Sequence, residues 1–393
     1  MINARAVTVT AFSFTVAMIG TTIPTALYPI YSDRLGFTSL TVTVLFAVYA
    51  VGVFAALLLF GRVSDQVGRR PVLIAALLFA VLSAAVFLVP PSLGTLIVGR
   101  LLSGVSAGLM TGTGTAAIID LYPVERRATA GVLAVAVNSG GLGLGNLFGG
   151  VVADLSSSPL VVPFAIHLGL TLLAMVGLLV FGVDDRRRGG LVLRLERLTV
   201  PREIRGAFAR GTLSAGAGFA SSGVLTATTG LFLVRYLGIS SHTAIGAIVC
   251  LIFTCVALGQ LLTRRIPSRW AMPGACGVLV LSAALLAWAL AGELLPPLIA
   301  AAVAVGLGCG VCMNVGLSTT VECVPASLRG GVSSAFFAVI YMMLAFPAVG
   351  VGLLAVPLGL REAGLVFAGV VALLAAAVGA NSLLSGGHVM AGK

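Results

Sequence analysis

Charged residues are scarce in this chain of 393 residues. Asp, Glu, Lys and Arg together make up only 9% of it, whereas hydrophobic residues make up 59% and the mean hydropathy is +1.15. A water-soluble domain needs a charged surface of roughly a quarter of its residues, so a soluble enzyme is excluded. Apolar runs of about 20 residues recur instead from end to end, which is the length that crosses ~30 Å of hydrocarbon as a helix.

The residue types of common active sites are also few. The chain has 3 histidines and 6 cysteines, and all the cysteines lie in its C-terminal half. Cys309 and Cys312 match a C-x-x-C pattern, but they lie inside an apolar run, which favours small packing residues over a redox or metal site. The apolar runs contain no paired carboxylates, no metal-spaced histidines and no phosphate loop. We therefore expect no enzymatic activity, no metal and no cofactor.

The apolar runs predict an all-α membrane protein with twelve transmembrane helices. The first run follows Arg5 and continues through Ile30 without a convincing cleavage site, so we interpret it as a helix and not as a signal peptide. The predicted spans are centred near Ala17, Val51, Phe79, Ala107, Val137, Leu173, Gly223, Leu251, Val280, Gly310, Tyr341 and Leu374.

The net charge of +11 is explained by where the basic residues lie. With the N-terminus placed inside, 19 of the 23 basic residues fall in cytoplasmic segments, and only Arg34, Arg235 and Arg361 fall outside, with Arg100 within a span. This asymmetry is the positive-inside rule. We expect a multi-pass protein of the cytoplasmic (plasma) membrane with both termini in the cytoplasm, surrounded by the lipid bilayer and without a nucleic-acid partner.

The two halves of the chain resemble each other at a constant offset of 202 residues. Leu35–Ser39 aligns with Leu237–Ser241, and the segment from Asp120 to Arg127 aligns with that from Glu322 to Arg329. The longest charged segment lies between the halves. The sequence therefore predicts two pseudo-symmetric six-helix bundles, residues 1–183 and 207–393, joined by a cytoplasmic linker of residues 184–206.

Three motifs carry a family resemblance. The loop Gly61-x-x-x-Asp65-x-x-Gly68-Arg69-Arg70 resembles the signature loop of the major facilitator superfamily, with Gln66 where a basic residue is common. Arg100-x-x-x-Gly104 resembles that superfamily's fourth-helix motif. A third motif, in span five, resembles the one typical of twelve-helix drug/proton antiporters, although Asn146 replaces its proline. Its residues are Gly141, Gly145, Asn146, Gly149 and Gly150.

The resemblance implies a role for the polar residues at the cytoplasmic end. Glycines and arginines alone suit a short loop held on the cytoplasmic side, but Asp65 is not needed for topology. By resemblance, Asp65 also approaches the start of span eleven near residues 330–333 and holds the inner mouth shut. The gating charge relay that the resemblance implies consists of Asp65, Arg69, Arg70, Asp120 and Arg127.

By resemblance, spans one, four, seven and ten line a central substrate cavity. The same hydroxyl residues could equally be ordinary helix-packing residues, and the sequence leaves this open. Arg100 is the candidate for coupling or substrate binding; alternatively it is an interfacial anchor or bonds to backbone opened by Pro24. The cavity candidates are Thr21, Thr25, Tyr28, Asn138, Ser222, Thr226, Asn314, Ser318 and Tyr341.

The motifs together predict a secondary active transporter that works by alternating access. We expect a monomeric, proton-coupled antiporter that exports small organic compounds or drugs and uses the proton gradient without a cofactor. The absent proline and the lack of an acid deep in span one leave an alternative open, an importer or facilitator of a small neutral or anionic metabolite. A scaffold or receptor without transport is disfavoured by the retained Asp65 motif.

Overall fold

The computed structural model describes residues 3–60, 63–182, 200–322 and 324–390, and within these ranges it contains thirteen α-helices and no strand. Short 3-10 turns precede α6 and α8 and follow α9. The helices are α1 (Ala4–Leu35), α2 (Ser39–Phe60), α3 (Val63–Val67), α4 (Arg69–Leu88), α5 (Leu93–Asp120), α6 (Arg127–Leu155), α7 (Val162–Phe181), α8 (Arg205–Tyr236), α9 (His242–Leu262), α10 (Ser268–Gly292), α11 (Leu295–Val321), α12 (Ala326–Leu358) and α13 (Leu360–Met390).

Twelve of these helices are long and apolar enough to cross a membrane, and α3 is the exception because it has five residues. Each predicted span centre lies inside one of the twelve helices. The prediction of an all-α protein with twelve candidate transmembrane helices is therefore confirmed. Helix α1 continues through Pro24 and Pro29, although neither proline can donate a backbone hydrogen bond.

One compact unit contains most of the N-terminal half. Unit 1 comprises Met1–Phe37, Val48–Glu196 and Ser241–Cys250. Helix α1 runs through its interior and packs against α5, α6 and α7, while α4 packs against α5 and α7. His167 of α7 is buried, and its Nε2 lies 3.1 Å from the Val16 carbonyl oxygen, so this histidine joins α7 to α1.

The second compact unit contains most of the C-terminal half. Unit 2 comprises Thr38–Ala47, Arg197–Ser240 and Leu251–Lys393. Helix α8 is its central helix and packs against α11 and α12, while α10 packs against α11 and α13. A Cβ at Gly211 would lie 2.8 Å from the Gly316 carbonyl oxygen, so glycine at this position allows α8 and α11 to touch through their backbones.

The boundaries of the two units differ from those of the two halves that the sequence repeat predicts. The start of α2 belongs to unit 2 and the start of α9 belongs to unit 1, so each of these helices continues from one unit into the other. The predicted linker, residues 184–206, lies mostly outside the described residues. Within its described end, a 3-10 turn begins at Arg202 and α8 begins at Arg205.

Candidate functional site

A charge cluster lies at one end of unit 1. Gly68 separates α3 from α4 with a φ of +101°, a conformation that favours glycine, and this turn brings Asp65 next to Arg69. Arg69 Nη1 lies 2.5 Å from Asp65 Oδ1, and its Nε donates to Asp120 Oδ2 at 3.1 Å. The Arg69 guanidinium also donates to Ser64 Oγ at 2.7 Å. One arginine thus connects the loop helix α3 to the end of α5.

Arg70 and Arg127 are the other two arginines of the predicted relay. Arg70 donates from Nη2 to the carbonyl oxygen of Leu179 near the end of α7. Arg127 begins α6 and is exposed, and the described residues include no ion pair between it and Asp120. The structure brings Asp65, Arg69 and Asp120 into direct contact, and the gating role of the five predicted residues stays a prediction.

Arg100 is one of the largest fully buried side chains of the described residues. Its side chain comes from α5 in unit 1, and only 1% of the residue is exposed. Arg100 Nη1 donates to the Thr21 carbonyl oxygen of α1 at 2.6 Å, and its Cζ lies 4.7 Å from the centroid of the Tyr49 ring, a cation–π contact. This burial argues against an interfacial anchor. Arg100 does bond to α1 backbone, but the oxygen belongs to Thr21, whereas the carbonyl that Pro24 leaves without a helical donor is that of Gly20.

Two of the predicted cavity residues carry buried hydroxyls on α1, the helix whose Thr21 carbonyl oxygen binds Arg100. Thr25 Oγ1 has no hydrogen-bond partner among the described residues. The Tyr28 hydroxyl has none of good geometry there either, but it lies beside the Arg100 guanidinium, close enough for a weak hydrogen bond. Asn138 Oδ1 of α6 is likewise buried without a hydrogen bond in the described part of the chain. Buried polar atoms are usually satisfied, so these three oxygens are candidates for binding water or a ligand.

The remaining α1 candidate is internally satisfied. Thr21 Oγ1 donates to the Met18 carbonyl oxygen at 2.7 Å, and this bond lies within α1. Hydroxyls that bond to their own helix in this way are ordinary in transmembrane helices. The hydroxyl of Thr21 therefore supports the packing interpretation, while its carbonyl oxygen holds Arg100.

The predicted cavity residues of unit 2 divide into two groups. Ser222 and Thr226 of α8 are buried and donate to carbonyl oxygens of their own helix at 2.9 and 2.7 Å. Asn314, Ser318 and Tyr341 are partly exposed. Ser318 donates to its own helix at 3.2 Å, and Tyr341 packs edge-on against Phe219 with the ring centroids 5.2 Å apart. Asn314, Ser318 and Tyr341 are thus the more accessible candidates in this unit.

The glycine motif of α6 forms a tight contact with α1. A Cβ at Gly145 would lie 2.3 Å from the Ile19 carbonyl oxygen, and one at Gly141 would lie 2.6 Å from Met18 Cβ. Gly149 allows a similar approach to Ile23, with a Cβ 3.0 Å from its carbonyl oxygen. These glycines therefore let two helices pack backbone to backbone.

The other face of the same motif contacts the start of α9 within unit 1. A Cβ at Gly150 would lie 2.1 Å from the His242 carbonyl oxygen, and a Cβ at Gly246 would lie 2.4 Å from that of Asn146. Asn146 itself is fully buried and donates from Nδ2 to the Leu142 carbonyl oxygen at 3.1 Å. The motif packs α6 between α1 and the start of α9.

Asp154, near the end of α6, makes a contact with the start of α9 that the sequence did not predict. Its carboxylate accepts four hydrogen bonds from the start of α9: from Ser241 Oγ at 3.0 Å, from His242 N at 3.0 Å, from Thr243 N at 2.8 Å and from His242 Nδ1 at 2.8 Å. A carboxylate at a helix N-terminus satisfies unpaired amides and complements the helix dipole. Ser241 before an apolar run predicts a helix start, but no local sequence pattern indicates that it contacts Asp154, 87 positions earlier in the chain.

The chain matches a family model and several characterised proteins. The model described as the Major Facilitator Superfamily matches residues 10–348. The quinolone resistance protein NorA of Staphylococcus aureus is 28% identical over 170 residues, which are 43% of this chain and 42% of NorA. The class C tetracycline resistance protein of Escherichia coli is 35% identical over 130 residues, or 33% of each chain. The matched segments span less than half the length of these curated relatives.

Solved structures of transporters share the fold. A bacterial homologue of the human lysosomal transporter Spinster, in an inward-facing and unoccupied conformation, superposes with a TM-score of 0.75 at 15% identity and covers 97% of both chains. A mutant form of the nucleoside transporter NupG has a TM-score of 0.75 at 14% identity, covering 96% of this chain and 99% of NupG. Since the family model matches most of the sequence, the chain belongs to the Major Facilitator Superfamily of transporters.

Proposed function

We propose that this transporter is a proton-coupled secondary active transporter that exports small organic compounds or drugs by alternating access. The partial sequence matches to a quinolone resistance protein and a tetracycline resistance protein support export of organic compounds. Transport needs no covalent chemistry, and we propose no enzymatic activity. The protein acts in the cytoplasmic membrane with both termini in the cytoplasm, as the distribution of its arginines favours.

Buried Arg100 is the observation on which the proposal rests. A charge at mid-membrane costs about 2.5–3.5 kcal/mol on insertion scales, and such residues usually face a cavity or a partner. The groups that hold the Arg100 guanidinium include a backbone carbonyl and an aromatic ring, and both of these are electrically neutral. We propose that the fixed positive charge of buried Arg100 attracts an anionic group of the substrate or promotes the release of a proton from a nearby group.

The charge cluster at Asp65 supports a conformational cycle. Asp65 and Asp120 share Arg69, and the side chains of the two acids are 61% and 50% exposed. An exposed ion pair contributes only about 0–1 kcal/mol to stability, so a need for folding stability does not explain why the two acids share one arginine. We propose that it is one side of a gate at the inner mouth that closes and opens during transport.

The alternative is an importer or facilitator of a small neutral or anionic metabolite. The replacement of the motif proline by Asn146 favours it, because that proline is part of the antiporter pattern. The likeness to NupG shows only the fold and does not decide between the two directions.

Transport by purified protein in proteoliposomes separates the two functions. Vesicles of defined orientation are loaded with a fluorescent quinolone or with tetracycline, and efflux or uptake is followed with and without an imposed pH gradient. Export predicts movement of the drug against its gradient, coupled to proton movement in the opposite direction. If a pH gradient of either sign leaves drug movement unchanged and a panel of metabolites exchanges instead, the importer or facilitator is correct.

A further inference from the structure

The loop between α9 and α10 in unit 2 carries three arginines that have no acidic partner in the described part of the chain. Arg264 and Arg265 lie in the 3-10 turn after α9, and Arg269 lies in the first turn of α10. All three are exposed, and none forms an ion pair within the described residues. The sequence contains no Asp or Glu between Glu203 and Glu293, so no acid close to them in the chain can neutralise them.

The corresponding loop of the first half is organised differently. At the offset of 202 residues, Pro267 takes the place of Asp65. In the first half, Asp65 and Asp120 form ion pairs with the Arg69 guanidinium, at N–O distances of 2.5 and 3.1 Å. The second half has kept the positive charge and lost the acid, so its arginines can bind an external anion.

An exposed aromatic ring lies beside this basic cluster. Trp270 is 52% exposed, and Arg269 Cζ lies 5.9 Å from the ring centroid. Tryptophan is enriched at membrane–water interfaces, where its ring lies at the level of the lipid headgroups. The Trp270 ring therefore places the arginines at headgroup depth, where their guanidinium groups can pair with a phosphate.

We propose that Arg264, Arg265, Arg269 and Trp270 form a binding site for the headgroup of an anionic phospholipid. Positive-inside topology requires only basic charge on this side of the membrane. It does not require three guanidinium groups within six consecutive residues, without a neighbouring acid and next to an exposed tryptophan. Clustered basic residues at a membrane surface attract anionic lipids, whose phosphate supplies the missing negative partner.

The two tryptophans of the chain allow a local test. Trp270 and Trp288 are the only tryptophans, and they lie near opposite ends of α10, about 27 Å apart along the helix. W288F leaves Trp270 as the sole reporter, and W270F leaves the 60% exposed Trp288 as a matched control. Each variant is reconstituted in vesicles in which either phosphatidylglycerol or phosphatidylcholine carries brominated acyl chains that quench tryptophan fluorescence.

Brominated phosphatidylglycerol should quench Trp270 more than the same mole fraction of brominated phosphatidylcholine does, corresponding to about fivefold local enrichment. In the W288F background, R264Q/R265Q/R269Q should abolish this preference. The control R202Q/R205Q/R210Q removes the same number of charges from unit 2 and should preserve it. Trp288 should be quenched equally by the two lipids in every variant. That it is quenched at all reports that α10 remains inserted.

Equal quenching of Trp270 by the two lipids would overturn the proposal. So would a preference that survives R264Q/R265Q/R269Q. Inorganic phosphate added at millimolar concentration separates a lipid site from a site for free anions: the preference should persist, and its loss would overturn the assignment to a lipid.

Discussion

At the scale of single residues, Arg100 is the side chain whose substitution separates function from structure. Arg100→Ala should reduce transport at least about tenfold, because it removes the buried positive charge that we propose to act on substrate or proton. Arg100→Lys should retain part of the activity, since it keeps the charge but not the planar guanidinium over Tyr49. Initial transport rates at several pH values measure both effects.

Expression and thermal unfolding provide the control for Arg100. Arg100→Ala removes a charge that costs free energy to insert, and Arg100→Lys keeps a charge that this site already accommodates, so both variants should insert and fold. If Arg100→Ala transports normally across the pH range, the hydrogen bond to Thr21 has only a structural role and the coupling site lies elsewhere.

Asp65→Asn should alter the conformational equilibrium without unfolding the protein. The Asp65 side chain is 61% exposed, so the loss of its ion pair with Arg69 should cost no more than about 1 kcal/mol of stability. The reactivity of a cysteine introduced at Ser333, near the predicted partner of Asp65, should rise from the cytoplasmic side in a background without native cysteines. Glu125→Gln is the control, because Glu125 is exposed at the same end without an ion pair among the described residues. Unchanged reactivity with normal transport would leave Asp65 without a gating role.

At the scale of helices, Asp154 is expected to hold the start of α9. Asp154→Ala removes the acceptor of four hydrogen bonds and leaves the Ser241 to Thr243 donors without their partner. We expect a loss of about 1–2 kcal/mol, as for the loss of an N-cap, and faster amide hydrogen exchange at residues 242–246. Asp33→Ala, which removes an exposed acid elsewhere in unit 1, should leave both unchanged. Unchanged exchange in Asp154→Ala would mean that Ser241 alone caps α9.

The contact between α1 and α6 can be tested with two nearby glycines. Gly145→Ala places a Cβ within 2.3 Å of both the Ile19 carbonyl oxygen and Thr22 Oγ1, so the helices must separate. We expect a loss of about 1–3 kcal/mol in thermal unfolding and reduced transport. Gly140→Ala is the matched control, because its Cβ would meet no atom within 4 Å. Equal stability of the two variants would show that the backbone contact is not needed.

At the scale of the whole molecule, the predicted orientation in the membrane rests on charge alone. Because 19 of 23 basic residues lie in segments assigned to the cytoplasm, green fluorescent protein fused after Lys393 should fluoresce. Alkaline phosphatase, which is active only outside, should be active when inserted at Ser157, between α6 and α7, and inactive after Lys393. The reverse pattern of activities would contradict the predicted topology.

The sequence alone was sufficient for the class of protein and for its helices. Apolar runs of membrane-spanning length are a local property, because in lipid each span must satisfy its backbone hydrogen bonds within itself. Each predicted span centre therefore lies within a helix. The glycine and arginine motifs are also local, and they indicate the family by themselves.

Only the tertiary structure decided which polar residues meet. It joined Asp65, Arg69 and Asp120 while leaving Arg127 apart, buried Arg100 against Thr21 and Tyr49, and paired Asp154 with the start of α9. These contacts join residues from 51 to 89 positions apart, or, for Asp65 and Arg69, depend on a glycine turn between two helices. Hydropathy and helical period describe one helix at a time and do not specify which face of it meets which neighbour, because that choice depends on packing among several helices at once.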